Sequence, residues 1–152
     1  MKHISYRLAT SDDMYAVHQL VMELARFEHA EDSVKTRAEE FRADAFEQDR
    51  EWFFCYVAEH PDDGIVGIAL CYYAYSTWRG RMVYLDDLVV VESQRRQGIG
   101  KRLVEEVIQH AKKTGANMMK WQVLNWNEPA IRMYERLGVS FDDEWIDCKL
   151  YF

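Results

Sequence analysis

None of the three cysteines (Cys55, Cys71, Cys148) belongs to a CxxC pair, and an odd count leaves one thiol over in any disulfide scheme. Each sits among apolar or aromatic neighbours, so the expectation is buried, reduced thiols and no disulfide framework. The five histidines (His3, His18, His29, His60, His110) fall in no HxxxH or HExxH arrangement, and no metal site is expected. No apolar stretch approaches the roughly 20 residues that cross a bilayer. The opening residues, Met1 to Arg7, lack the apolar run of a signal peptide. These absences lead to the expectation of a cytoplasmic protein with no membrane partner. Positive charge is also short, with 19 Lys and Arg against 26 Asp and Glu and a net charge of -7. An acidic surface repels phosphate backbones, so nucleic acid is not expected as a partner and a cationic small molecule is.

What the chain does have is core material. Its 152 residues are 49% hydrophobic and 14% aromatic, enough for one domain over residues 1–152. Ile4, Tyr6 and Leu8 alternate with polar neighbours, as in a short strand. Thr10 and Asp13 have capping-box spacing before an apolar stripe of Met14, Val17, Leu20, Val21, Leu24 and Phe27. Thr36 and Glu39 repeat that spacing before a shorter helix with Phe41, Ala45 and Phe46. Strands are expected at 52–59 and 65–75, joined by the His60–Gly64 turn, and again at 82–91. Ile99, Leu103, Val104, Val107, Ile108 and Ala111 mark a strong helix stopped by Gly115. A strand at 118–124, a helix from Asn127 to Gly138 and a last strand from Glu144 to Tyr151 complete the order β-α-α-β-β-β-α-β-α-β. That order gives an α/β or α+β fold, a mixed sheet with helices on its faces.

The chemistry-bearing stretch runs from Val89 to Lys101. Gly98 and Gly100 stand where a strand and loop turn into a helix, so the backbone can approach a ligand closely. Amides at a helix start, with Arg95, Arg96 and Lys101 nearby, make an anion site suited to a pyrophosphate. A dinucleotide GxGxxG fails because Leu103 occupies the third glycine position. A P-loop fails because Arg95 and Arg102 replace its glycine and its Ser or Thr. What remains is Arg95-x-x-Gly98-x-Gly100.

That pattern, after a Val-rich strand and before an amphipathic helix, resembles the acetyl-CoA signature of the GNAT N-acetyltransferase superfamily. Asn127-Glu128-Pro129-Ala130-x-x-x-Tyr134-x-x-x-Gly138 resembles its second conserved segment. Three stretches are similar to the spermidine/spermine (diamine) and thialysine acetyltransferase branch. They are Glu23 to Glu28, Tyr84-Leu85-Asp86-Asp87 and Trp126-Asn127-Glu128-Pro129. The resemblance implies a mostly antiparallel twisted sheet with helices on both faces, acetyl-CoA as co-substrate, and a homodimer. It implies that Leu88, Val89 and Val90 pair with the pantetheine arm. Arg95, Arg96, Gln97, Gly98, Ile99, Gly100 and Lys101 then hold the pyrophosphate, with Asn127, Pro129 and Ala130 also at the cofactor.

By the same resemblance Tyr134 is the general acid for the leaving thiolate, since a phenol is protonated at neutral pH. Asp86 is the base, direct or through water, although the family position is often glutamate. Asp87, Phe27, Glu28 and Trp78 are substrate-binding candidates, with Tyr75 beside Trp78. Strand alternation puts Asp86 and Asp87 on opposite faces unless a bulge intervenes. Tyr75-Ser76-Thr77-Trp78 is more similar to the thialysine branch, because polyamine-specific members tend to carry aspartate in place of Ser76. The implied activity is acetylation of a primary amine on a polyamine, diamine or lysine-like amino acid. Acetylation of a protein lysine or N-terminus, and non-catalytic acyl-CoA binding on the same fold, stay open.

Overall fold

The computed structural model describes residues 3–152, in two compact units that divide after Trp121. The first holds β1 (Ser5–Leu8), α1 (Met14–Phe27), α2 (Ala38–Arg42), β2 (Phe54–His60), β3 (Gly64–Ser76), β4 (Gly80–Val90), α3 (Ile99–Lys113) and β5 (Met118–Lys120). The second holds α4 (Glu128–Arg136). The strands lie in sequence order in one sheet. β1 to β4 are antiparallel neighbours, and β5 joins β4 in parallel.

Local chemistry explains the first turn. The Thr10 N–H and hydroxyl both donate to the Asp13 carboxylate, at 2.7 and 3.1 Å, the anticipated cap of α1. Arg7 ties that cap to the sheet by pairing with Asp13 at 2.7 Å and Glu59 at 2.9 Å. Met14, Val17 and Leu20 then bury one stripe of α1 against Cys55, Val57, Ile68, Leu70 and Val89. Leu103, Val104 and Val107 of α3 are also buried. A Cβ on Gly67 would meet Leu103 Cδ1 at 3.1 Å and Ile99 Cγ2 at 3.3 Å. Gly67 adjoins Ile68 along β3, and neighbouring strand residues point to opposite faces. The sheet is therefore covered by α1 on one face and α3 on the other. Each fully buried Leu or Val of these stripes contributes about 1.5–3 kcal/mol.

Several expected boundaries shift. The second cap forms one residue later, with the Arg37 N–H donating to Glu40 at 2.7 Å, because the Thr36 carbonyl is already held by the His18 ring at 2.7 Å. Beyond α2 the chain continues as a π-helix over Ala43–Glu47. β2 begins at Phe54, after the expected Trp52, and β5 stops at Lys120, short of residue 124. The final strand from Glu144 to Tyr151 is absent. Its apolar residues have no ladder to join, and every residue from Ser140 to Phe152 is exposed. Cys148 is exposed for that reason, which corrects its expected burial, while Cys55 and Cys71 are buried thiols as expected.

Candidate active site

The sheet carries its acidic pair on an irregularity. Leu70 of β3 faces Asp87, whereas Cys71 faces Leu85, so Asp86 has no opposite residue. This is a β-bulge, and it overrides the alternation that would separate the two carboxylates. Both line one cleft of about 410 Å³ with Val21, Lys35, Phe41, Trp52, Phe53 and Tyr72. Tyr72 stacks on Tyr84 at 5.0 Å, forming a flat aromatic floor beside the bulge. Glu28, just past the end of α1, adds a third carboxylate within electrostatic range of Asp86 and Asp87.

Burial raises all three pKa values, and neighbouring charge adds to it for Asp87 and Glu28. Burial dominates for Asp87, reinforced by the charges of Asp86 and Glu28, and pushes it up to about 7. Burial also raises Asp86, and burial with the charge of Asp86 raises Glu28. A carboxylate raised toward neutrality is a stronger base for an ammonium proton than an ordinary carboxylate. The same negative cluster attracts an ammonium.

The glycine loop follows β4 directly. Gly98 has φ of +82° and is the N-cap of α3, a conformation that favours glycine. A Cβ there would meet nothing within 4 Å, so open space lies over the helix start. The first turn of α3 leaves its N–H groups without intrahelical partners. Arg96 adds a second left-handed residue, at φ +62°. These donors and cations fit a pyrophosphate. Arg95 is engaged locally: its Nε donates to the Val90 carbonyl at 2.9 Å, and its guanidinium lies 5.7 Å from the Phe27 ring centre. It thereby fastens the loop to the end of α1, beside Glu28. Gln97 donates to Gln94 at 3.0 Å, which braces the turn. Lys101 sits 3.6 Å from Glu105.

β4 also presents an edge. Its ladder with β5 covers only Met82, Val83 and Tyr84. Leu88, Val89 and Val90 pair with Ala69, Ile68 and Gly67 on the β3 side, and β5 does not reach them on the other. A backbone edge of this kind suits an extended arm with amide groups.

Residues 14–139 match the Acetyltransferase (GNAT) family, a span that includes α1, the bulge, the glycine loop and α4. The chain belongs to the GNAT acetyltransferase family. It is an acetyl-transferring enzyme, and GNAT enzymes use acetyl-CoA as co-substrate. The chain is 38% identical over 141 residues to a thialysine N-epsilon-acetyltransferase of Mus musculus, covering 88% of this chain and 82% of that one. It is 30% identical over 154 residues to the spermidine/spermine N(1)-acetyltransferase-like protein 1 of Homo sapiens, covering 95% of this chain and 22% of that one. An aminoglycoside acetyltransferase from an uncultured soil metagenomic sample superposes with a TM-score of 0.78 at 19% identity, over 98% of this chain and 96% of that one. This last likeness shows the fold alone.

In the second unit of this GNAT chain, Asn127 is the N-cap of α4 and Pro129 lies in its first turn, followed by Ala130. Tyr134 is buried, and burial pushes its pKa up to about 12. Gly138, at φ +76°, follows the helix end. The structure does not bring Trp78 to the acidic cleft. Trp78 is 89% exposed at the tip of the β3–β4 hairpin, before β4 begins at Gly80, which itself lies six residues or roughly 20 Å along β4 from Asp86. Ser76 has a structural task there, accepting from the N–H groups of Trp78 and Arg79 at 3.3 and 3.1 Å. Tyr75 is also exposed. Sequence reasoning missed Lys35, Trp52, Phe53 and Tyr72 as cleft residues. Their signal was faint, because they come from a connecting segment and from strand positions that read as core.

Proposed function

We propose that the enzyme transfers an acetyl group from acetyl-CoA to a primary amine of a small cationic substrate, by direct attack in a ternary complex. The candidates are a polyamine, a diamine, or an amino acid of the lysine and thialysine type. The observation that carries this reading is the bulge, which turns Asp86 and Asp87 together into a cleft that Glu28 also charges. The names of the relatives point the same way.

The residues divide the work as follows. Glu28, Asp86 and Asp87 attract the ammonium, and the Asp86/Asp87 pair takes its first proton, directly or through water. The nitrogen lone pair then forms the C–N bond as the thioester C–S bond breaks. Amides of β4 polarise the carbonyl as charge develops on its oxygen. Tyr134 gives its proton to the departing thiolate, and the proton shed by the acylated nitrogen restores the phenol through solvent. The start of α3, with Arg96 and Lys101, holds the pyrophosphate.

A homodimer belongs to the same reading. The exposed apolar side chains Trp145, Ile146, Leu150, Tyr151 and Phe152 support self-association. Light scattering on the eluted protein is expected to give twice the chain mass.

The decisive assay follows thiol release from acetyl-CoA against spermidine, putrescine, lysine and thialysine. Rapid release with at least one of them is expected. If none exceeds the buffer rate while acetyl-CoA still binds, the small-amine reading fails.

A further inference from the structure

The acidic cleft also contains a cation that the acetyl-transfer chemistry does not use. Lys35 is its one basic lining residue, on the segment between Ser33 and Thr36. This segment is fixed from behind. The His18 ring donates to the Thr36 carbonyl at 2.7 Å, the Val34 N–H bonds the Glu31 carbonyl at 3.3 Å, and His18 meets Phe41 edge-on at 5.0 Å. Lys35 thus stands on an anchored wall. It forms no ion pair with Asp86 or Asp87, whose carboxylates line the same space. Lys35 and two aspartates line one cleft of about 410 Å³ with no ion pair between them, so the cleft has a basic wall and an acidic wall.

We propose that Lys35 is a specificity-determining residue that receives the carboxylate of an amino-acid substrate, while the acidic group holds the amine to be acetylated. This inference rests on the small-amine reading above and sharpens it. A diamine or polyamine is cationic at both ends, so one of its ammonium groups would face Lys35 unpaired or repelled. An α-amino acid with a side-chain amine offers a carboxylate there and an ammonium at the bulge. Aromatic walls from Phe41, Trp52, Phe53 and Tyr72 suit the methylene chain between them. Selection works by repulsion of the wrong substrate as well as attraction of the right one.

The test compares lysine with cadaverine, which has the same chain and terminal amines but no carboxylate. The wild type is expected to show a higher kcat/KM for lysine. In Lys35→Met the lysine-to-cadaverine ratio of kcat/KM is expected to fall about five- to twentyfold, the span between a screened and a desolvated charge pair. Lys35→Arg is expected to restore most of it. A ratio unchanged in Lys35→Met overturns the assignment. So does a rise confined to the KM for acetyl-CoA, which would give Lys35 to the nucleotide. Lys35 is exposed, so the variant is expected to fold, with its circular dichroism as the check. A wild type that acetylates cadaverine faster than lysine overturns the Lys35 inference and leaves the small-amine reading standing. A wild type that acetylates neither, nor any polyamine, overturns both.

Discussion

At the scale of single residues, the two titrating groups of the proposed reaction are set apart by their surroundings. Asp87 titrates near 7 because burial and two neighbouring carboxylates oppose its charge. As a base it must be deprotonated, so kcat/KM for the amine is expected to rise through about pH 7 and then level. In Asp87→Asn that limb is expected to be lost, and the rate–pH profile checks it. Stability should run the other way. A raised folded-state pKa means stability that is present below about pH 3.8 and lost as pH rises through about 7. Asp87→Asn is therefore expected to raise the melting temperature by roughly 4 °C or more at pH 8 and hardly at pH 4. Tyr134, pushed up to about 12 by burial, stays protonated across this range. Tyr134→Phe is expected to lower kcat at least about a hundredfold with acetyl-CoA binding intact, measured by titration calorimetry.

At the scale of elements, the positions proposed to carry function are those where regular structure breaks. Periodicity marked α1, α3 and the hairpin of β2 and β3 correctly, because each buries a stripe with a clear repeat. It marked the glycine loop too, since two glycines before an amphipathic helix are a local signal. The bulge at Asp86 was out of reach: it depends on which residue of β3 lies opposite, a non-local fact. The false strand at Glu144–Tyr151 has the complementary cause, apolar residues whose pairing partner the sequence does not specify. The left-handed Gly98 is open to test. Gly98→Ala meets no atom within 4 Å, so its cost is conformational strain of about 1–2 kcal/mol. Weaker acetyl-CoA binding with near-normal amine KM is expected from steady-state kinetics.

At the scale of the whole molecule, the net charge of -7 sets long-range behaviour. The field draws cationic amines toward the acidic cleft, and added salt screens it over roughly 10 Å at 0.1 M. Raising ionic strength from 10 to 300 mM is expected to lower kcat/KM for the amine severalfold, read from initial rates. Thiol accessibility should likewise report the whole fold. Of the three cysteines only Cys148 is exposed in the single chain, so Cys55 and Cys71 are expected to resist a thiol reagent in the native protein and to react after unfolding, whereas slow native labelling of Cys148 would accompany the proposed dimer.

The bulge in β4 has one more consequence, for how such an enzyme can diversify. Because Asp86 faces no residue across the ladder, removing it would let Leu85 and Asp87 close up as ordinary neighbours. The cleft would lose one carboxylate while the hydrogen-bond pattern on either side stayed in step. A one-codon deletion thus removes the charge and the bulge together, whereas a point substitution removes only the charge, and length variation at this position becomes a route between substrates.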